Sequence, residues 1–362
     1  MRVVVIGGLG NFGARICMRL ALESEIEVIA TSRHVSKAGE SISVRTAILD
    51  IGSRDFPDRI RTLAPDLVIH CAGPFQGQDY RVALASLACG AHYVDLADGR
   101  EFVAGFVAAI GPAAEAANRI AITGASTLPA LSSAVVDFLK GSFAELGAID
   151  VVIAPAQRAQ RGAATVAAAL SYAGESFPWW EGGEWRTAHG WQELKHQRFS
   201  FGSRLSAACD VPDLELFPVR YAGVQSVTFR AALEVSLQHY GLWTIGALRR
   251  MGLPIQMAHS GSSLDRIGTW LNWLGSETGG MRIHVMGRSH EGEKLNRTWE
   301  LVAKCNHGPE IPCMAAAILA TQLARGNEFS AGATVCMGIL GLSDFEAEFA
   351  RWSISTRVEN DR

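Results

Sequence analysis

The chain has 362 residues, of which 48% are hydrophobic and 19% charged, and 37 of them are glycine. This composition is typical of a folded globular protein and excludes collagen, coiled-coil and disordered classes. At about 150 residues per domain, the length predicts two domains. Thirty-three basic against 36 acidic residues leave a formal net charge of -3. That balance disfavours nucleic acid and anionic membranes as partners, so we expect a small-molecule partner.

The seven cysteines are scattered without a C-x-x-C pair, which disfavours a disulfide framework and a zinc site. No stretch reaches 18 unbroken apolar residues, and the apolar segment after Met1 and Arg2 is a strand rather than an export signal. We therefore expect a soluble cytoplasmic protein that holds no metal and does not bind a membrane.

The N-terminal part alternates apolar strands with amphipathic helices. Residues 3–6 are a β-branched run without polar alternation, which is typical of a strand buried on both faces of a parallel sheet. Behind them Phe12, Ile16 and Leu20 recur at four-residue spacing, which predicts a helix. Further strands are predicted at 27–31, 44–49, 67–71, 93–96 and 120–123. This order predicts an α/β fold with a Rossmann-type doubly wound parallel sheet.

From about Asp150 the hydrophobic period changes to two. In residues 226–235 apolar and more polar side chains alternate, which predicts a half-solvated strand. Residues 281–285 and 299–303 show the same alternation on either side of a turn-like Glu-Gly-Glu segment, which predicts a hairpin. We therefore expect a second, α+β domain with a mixed or antiparallel sheet. A last long helix is predicted at 311–324, ended by a cation and a glycine.

A dinucleotide-binding motif follows the first predicted strand. A G-x-G-x-x-G set, with one glycine before it, comprises Gly7, Gly8, Leu9, Gly10, Asn11, Phe12 and Gly13. A pyrophosphate needs close approach to the backbone and the N–H groups at a helix N-terminus, and this loop opens a predicted helix. The alternative is a glycine-rich turn needed only for strand–helix packing.

The residues after the second strand predict the choice of cofactor. An NAD site usually offers an acidic residue there, but this chain has Ser32, Arg33 and His34. Arg33 is suited to pairing with a 2′-phosphate and Ser32 to donating a hydrogen bond, so NADP is favoured over NAD. The alternative for Arg33 is a solvated loop cation. Asp50 and Ile51 are predicted to border the adenine, and the alternative for Asp50 is a turn residue.

Three segments resemble a known family. GGLGNFG, CAGPF and GAHYVDLADG, in this order, are similar to the NADP-binding domain of the saccharopine dehydrogenase-like oxidoreductases. The resemblance covers residues 1–127, and GPEIPCMAAAILATQLARG with the following GAT is similar to the family's closing helix and loop. We therefore expect a dinucleotide-binding domain of residues 1–128 joined by 309–362. The second domain, for substrate binding and dimerisation in a homodimer, is expected at 129–308.

The resemblance also implies roles for single residues. It places Ala72, Gly73, Pro74 and Phe75 along the nicotinamide ribose. It places Asp95 at a strand end near the reacting ring, whereas the alternative for Asp95 is a cap or turn residue. Many relatives carry an acidic residue where this chain has Ser32, so the preference for NADP depends on the local residues.

Polar residues of the second domain are further candidates for the site. Tyr172 and His307 are predicted as catalytic residues, with Arg161 and His239 as further polar groups. A structural role is the alternative for each. Four tryptophans lie within residues 179–191, where they either line an apolar pocket or pack a loop against the sheet.

The residues and the resemblance together predict an NADP-dependent oxidoreductase. The expected reaction is hydride transfer between NADP(H) and a small amino-acid-derived imine, amine or carbonyl, with the cofactor supplying the chemistry. Two alternatives stay open: a catalytically silent NADP-binding regulator, and an enoyl-type reductase.

Overall fold

The structure, a computed structural model, describes residues 1–34, 44–160, 171–253 and 271–361. Its contacts divide the chain into two compact units, Met1–Leu131 with Glu310–Leu340 and Ser132–Pro309 with Gly341–Arg362. The expected grouping of all of 309–362 with the first domain differs from this division after Leu340.

Strands and helices are numbered along the chain. The strands are β1 Arg2–Ile6, β2 Glu27–Ser32, β3 Arg45–Ile48, β4 Leu67–His70, β5 His92–Asp95, β6 Ile120–Thr123, β7 Glu145–Ala154, β8 Ser176–Glu181, β9 Glu184–His189, β10 Lys195–Phe199, β11 Gly202–Ala208, β12 Ser226–Leu233, β13 Gly279–Arg288, β14 Lys294–Ala303, β15 Gly332–Val335 and β16 Ile354–Asp361. The helices are α1 Asn11–Leu20, α2 Phe56–Thr62, α3 Arg81–Ala88, α4 Arg100–Ala116, α5 Ser132–Lys140, α6 Asp213–Arg220, α7 Ser236–Arg250, α8 Ile311–Ala324 and α9 Leu342–Phe349.

The first unit contains a parallel sheet. Among the described residues, seven strands pair in the order β15-β6-β5-β4-β1-β2-β3. The four apolar residues of β1 from Val3 to Ile6 are buried, as are all four of β4. The predicted Rossmann-type parallel sheet is confirmed. Strand β15 was not predicted, because four residues that begin with glycine carry too little periodicity to indicate a strand.

The second unit contains a mixed sheet. The described strands pair in the order β10-β11-β12-β7-β13-β14-β16, and the β8–β9 hairpin joins β12. Strands β7 and β12 are parallel, while β13 is antiparallel to both β7 and β14. The predicted α+β domain with a mixed sheet is confirmed, and so is the hairpin β13–β14.

The C-terminal strand explains the different domain boundary. Strand β16 pairs antiparallel with β14 over eight residues, from Asn296–Asp361 to Ala303–Ile354. These backbone hydrogen bonds hold β16 in the second sheet, together with α9 in the second unit, whereas α8 and β15, earlier in the chain, belong to the first unit. Such long-range pairing is not encoded in local periodicity, which is why it escaped the sequence analysis.

The tryptophan-rich stretch forms strands β8 and β9 rather than a loop. Trp179 and Trp191 are buried, and Trp180 donates its indole N–H to the Val224 carbonyl at 2.8 Å. Trp185 is exposed. The buried indoles therefore pack within the second unit. Within the described residues, none of the helices combines the length and the apolar character that crossing a bilayer requires.

Candidate cofactor and active site

The glycine loop between β1 and α1 is tightly packed at three of its glycines. A Cβ atom on Gly8 would lie 2.8 Å from the Ala30 Cα, and one on Gly13 would lie 2.2 Å from the Gly7 carbonyl oxygen. Gly7 has φ +76°, a left-handed conformation that favours glycine, and its Cβ would lie 3.1 Å from the Ala72 nitrogen. These glycines let the loop lie against β2 and against the segment after β4.

Gly10 differs from the other glycines of the loop. It is the N-cap residue of α1, with φ −80° and no side-chain cap. Within the described residues, the one atom that a Cβ there would meet is the Gly7 carbonyl oxygen, at 3.1 Å. Packing therefore does not require glycine here. The open space borders the first-turn N–H groups of a helix, which have no acceptor in their own helix and attract anions. The predicted pyrophosphate contact stays a prediction.

The end of β2 carries the residues predicted to select NADP. Ser32 is half-buried, and its hydroxyl donates to the His34 carbonyl, while the side chains of Arg33 and His34 are exposed. The Thr31 carbonyl accepts a hydrogen bond from the Gly8 N–H at 2.9 Å, which joins this strand end to the glycine loop. The predicted contacts to a 2′-phosphate stay predictions.

Asp50 and Ile51 follow β3. Asp50 is exposed, and its Oδ1 accepts the Gly52 N–H at 2.9 Å, the geometry of an Asx turn. Ile51 is half-buried. Asp50 thus has the local role that the alternative interpretation named. A contact between either residue and the adenine stays a prediction.

The segment after β4 is held in a fixed shape. The Gln78 side-chain amide donates to the carbonyls of Ala72 at 2.8 Å and Pro74 at 2.6 Å. Phe75 is buried, and its ring packs edge-on against His70 and Phe102. This segment therefore presents Ala72, Gly73 and Pro74 on a rigid support.

The strand order brings these segments together at one edge of the sheet. From the neighbours β1 and β4 the chain proceeds in opposite directions, to β2 and β3 on one side and to β5 and β6 on the other. Ligands of such sheets bind at this switch point, outside the carboxyl ends of the strands. The glycine loop, the segment Ala72–Phe75 and the end of β5 all lie at that edge.

Asp95 ends β5 and is fully buried. Its Oδ1 accepts hydrogen bonds from the Ala97 N–H, the Thr123 hydroxyl and the Gly124 N–H, each at 2.9 Å. Burial raises the pKa of Asp95 to about 6, although these donors and the Tyr93 hydroxyl act in the opposite direction. Asp95 therefore joins the ends of β5 and β6 as a positioning residue, and its predicted contact with a substrate stays a prediction.

Asp98 is a carboxylate of this edge that the sequence analysis did not single out. It lies between β5 and α4, its side chain is exposed, and its Oδ1 lies 3.5 Å from the Gln76 amide nitrogen. Gln76 belongs to the connection after β4, so the pair spans two adjacent strand ends. Asp98 was not predicted because a strand pattern marks only the strand's own end, Asp95, whereas side chains that reach a ligand often follow on the loop.

The remaining predicted site residues belong to the second unit. His307 is half-buried, accepts the Ser353 N–H at its Nδ1 at 3.0 Å, and packs edge-on against Trp352. Tyr172 is half-buried, and its carbonyl accepts the Glu175 N–H. Arg161 lies outside the described residues. Catalytic roles for His307 and Tyr172 stay predictions.

Comparison with solved structures identifies the fold. The structure matches apo saccharopine dehydrogenase (L-Glu forming) from Saccharomyces cerevisiae with a TM-score of 0.71 at 12% identity, covering 100% of both chains. The protein has the saccharopine dehydrogenase fold. Homospermidine synthase from Legionella pneumophila, in complex with NAD, matches with a TM-score of 0.65 at 9% identity, covering 99% of this chain and 91% of the other. An engineered D-amino acid dehydrogenase bound to NADP+ matches at 0.50 and 16% identity, covering 96% and 98%.

The sequence matches no model of a known protein family and no curated protein. At these identities the structural likeness concerns the fold. The saccharopine dehydrogenase fold that the three segments implied is confirmed, and the match covers the whole chain, including the residues between those segments and the closing helix.

We expect His239, in α7, to make the stability of the second unit depend on pH. Its ring is fully buried edge-on against Trp191, and neither ring nitrogen has a hydrogen-bond partner in the described part of the chain. Burial lowers the pKa of His239 from 6.5 to about 4. Between these values the unfolded chain binds a proton that the folded protein does not. Above pH 6.5 the burial of His239 therefore causes no loss of unfolding free energy through protonation, and the loss grows as the pH drops from 6.5 towards 4.

We expect His239→Phe to reduce this acid sensitivity. The difference in unfolding free energy between pH 7.5 and pH 4.5 should shrink by about 2 kcal/mol, because the variant has no group there to protonate. Urea unfolding at the two pH values measures it. His196→Phe, at an exposed strand position, is the control and should keep the parental pH dependence. Equal pH dependence in all three proteins would contradict this account.

Proposed function

We propose that the protein is an NADP(H)-dependent oxidoreductase acting on a small amino-acid-derived imine, amine or carbonyl. The observation that carries the proposal is the open space beside Gly10 at the N-terminus of α1, in a loop whose other glycines are required by packing. When bound, the nicotinamide cofactor supplies the hydride transfer. The saccharopine dehydrogenase fold, shared with an NAD complex and an NADP+ complex, supports the proposal.

The residues proposed to hold the cofactor lie at the carboxyl edge of the parallel sheet. The first-turn N–H groups of α1 bind the pyrophosphate. Arg33 pairs with the 2′-phosphate, since the described end of β2 carries no carboxylate to receive a ribose 2′-hydroxyl. Ala72–Phe75 border the nicotinamide ribose, and the Gln78 hydrogen bonds keep that segment in place.

Three residues were predicted as catalytic, one with a carboxyl, one with an imidazole and one with a phenol group: Asp95, His307 and Tyr172. The burial of Asp95 and its three donors support a positioning role, in which it holds the ends of β5 and β6. The exposed carboxylate of Asp98 supports a role for that residue in holding a substrate nitrogen or moving a proton. His307 and Tyr172, which both belong to the second unit, stay proposed catalytic residues.

The function is tested by binding and then by turnover. Calorimetry with NADPH, NADH and ADP-ribose establishes whether the cofactor site exists. NADPH oxidation is then followed with a panel of 2-oxo acids plus amines, cyclic imines and enoyl thioesters. Oxidation with the imine-forming mixtures is the expected result. NADPH binding without turnover on any member would favour the silent regulator, and turnover on enoyl thioesters alone would favour the enoyl-type reductase.

Arg33→Ala should separate the two cofactors. Loss of a charge-assisted contact with the 2′-phosphate, about 1.5–3 kcal/mol, lowers NADPH affinity roughly tenfold to a hundredfold and leaves NADH affinity nearly unchanged. Calorimetric titration of both cofactors measures it. Arg45→Ala is the control, because Arg45 is also exposed but begins β3, at the opposite edge of the sheet. Equal losses for NADPH and NADH would overturn the NADP assignment.

We also propose a cytoplasmic homodimer. All seven cysteines are free thiols, which supports a reducing compartment. Light scattering after size exclusion measures the mass of the particle, and a value near one chain would exclude the dimer.

A further inference from the structure

Arg230 lies on β12 of the mixed sheet, on the face opposite the buried Val227 and Phe229. Its side chain is half-buried, and the guanidinium carbon lies 5.2 Å from the ring centroid of Trp179. Trp179 is itself buried, with 3% of its surface exposed. The guanidinium is therefore held over a fixed aromatic face, an arrangement that restricts its orientation.

Within the described ranges, the Arg230 guanidinium has no anionic partner. Its Nη1 is buried and, among the residues that the structure describes, has neither a hydrogen-bond acceptor nor a carboxylate at ion-pair distance. Asp150 lies two residues along β7 from Val152, the register partner of Arg230; it faces Thr228 and accepts that hydroxyl's hydrogen bond. A buried donor without an acceptor is unfavourable, so this nitrogen is available to an acceptor from outside the described residues.

Neighbouring arginines of the same sheet are already paired. One row of consecutive cross-strand partners comprises Arg230, Val152, Arg282, Glu300 and Arg357. Arg282 donates to the Arg198 carbonyl at 2.8 Å, and Arg357 lies 3.3 Å from the Glu300 carboxylate. This row carries three cations against one anion. The local charge therefore favours an anion at the member of the row that lacks a partner.

We propose that Arg230 and Trp179 form a binding site for an organic carboxylate in the second unit. The planar guanidinium matches a carboxylate with two parallel hydrogen bonds, and the indole beneath it keeps the guanidinium in place. An amino-acid-derived substrate carries such a group. Binding of a substrate carboxylate at Arg230 rests on the proposed function, whereas binding of a carboxylate as such does not.

The test is calorimetric titration of the full-length chain with sodium glutarate in a chloride-free buffer, with sodium sulfate at matched ionic strength as the reference. Saturable glutarate binding is expected. Arg230→Met should weaken it about tenfold or more, since a charge-assisted pair is lost. Arg230→Lys keeps the charge without the fork and should be intermediate. Arg282→Met removes a neighbouring arginine that already has an acceptor, and it should bind glutarate as the parent does.

The results separate this inference from the cofactor assignment. Melting curves establish that the variants are folded, and the lysine variant keeps the test valid if Arg230→Met does not fold. The site would be overturned if glutarate did not bind saturably, or if sulfate bound at Arg230 with equal strength. It would also be overturned if Arg230→Lys kept the parental affinity for glutarate, or if Arg230→Met and Arg282→Met lost equal amounts of affinity. NADPH affinity should be unchanged in Arg230→Met, so failure of the cofactor proposal is seen independently.

Discussion

Gly10→Val is expected to keep the parental fold and to lose NADPH binding. At φ −80° the backbone accepts a branched residue, and its Cβ would meet the Gly7 carbonyl oxygen at 3.1 Å, a contact that a small shift relieves. The added methyl groups occupy the space beside the first turn of α1. With two phosphate hydrogen bonds lost, at about 1.5–3 kcal/mol each, affinity should fall at least a hundredfold.

Calorimetry with NADPH measures the loss, and urea unfolding should show a change in unfolding free energy of about 1 kcal/mol or less. Gly13→Ala is the matched control, because its Cβ would lie 2.2 Å from the Gly7 carbonyl oxygen. That overlap should destabilise the fold by about 1–3 kcal/mol before any ligand is added. Undiminished NADPH binding by folded Gly10→Val would rule out the pyrophosphate site.

Of the substitutions proposed for this protein, Asp95→Ala should lower the unfolding free energy most. The substitution leaves the Ala97 N–H, the Thr123 hydroxyl and the Gly124 N–H without their acceptor. At about 1–3 kcal/mol for each buried unsatisfied donor, partly relieved by relaxation, unfolding free energy should fall by about 3–5 kcal/mol. Urea unfolding measures the change. A loss below about 1 kcal/mol would show that the carboxylate does not hold the two strand ends together.

Asp95→Asn has a different, pH-dependent outcome. The folded pKa of about 6 lies above the ordinary 3.8, so the parent's stability from this group is complete below pH 3.8 and is lost as the pH rises through 6. The amide keeps the Oδ1 acceptor and does not ionise. Relative to the parent, Asp95→Asn should therefore gain up to about 3 kcal/mol between pH 4 and pH 8. A constant difference across that range would contradict the raised pKa.

Asp98→Asn tests whether the exposed carboxylate of Asp98, rather than the buried one of Asp95, takes part in proton transfer. Its side chain is solvent-exposed, so stability should change by about 0.5 kcal/mol or less. If Asp98 moves a proton, turnover falls by about 10²–10⁴ while NADPH affinity stays parental. Asp98→Glu should restore part of the rate. Full turnover in Asp98→Asn would assign proton transfer to another group.

The Rossmann-type sheet and its glycine loop follow from the sequence because their signals are local. The buried apolar runs of β1 and β4 and the four-residue spacing of Phe12, Ile16 and Leu20 have one physical solution, a buried strand followed by a helix. Local periodicity also predicted the β13–β14 hairpin. The NADP preference depends on Ser32 and Arg33 and stays a prediction.

Only the tertiary structure decided what depends on contacts distant in sequence. It assigned β16 to the second sheet through backbone pairing with β14, and it joined Asp95 to donors 28 and 29 residues away. It also distinguished Gly10, beside open space, from Gly13, against a carbonyl oxygen, although both are glycines of one motif. Burial, pairing and open space arise when separate segments meet, so no local pattern of residues specifies them.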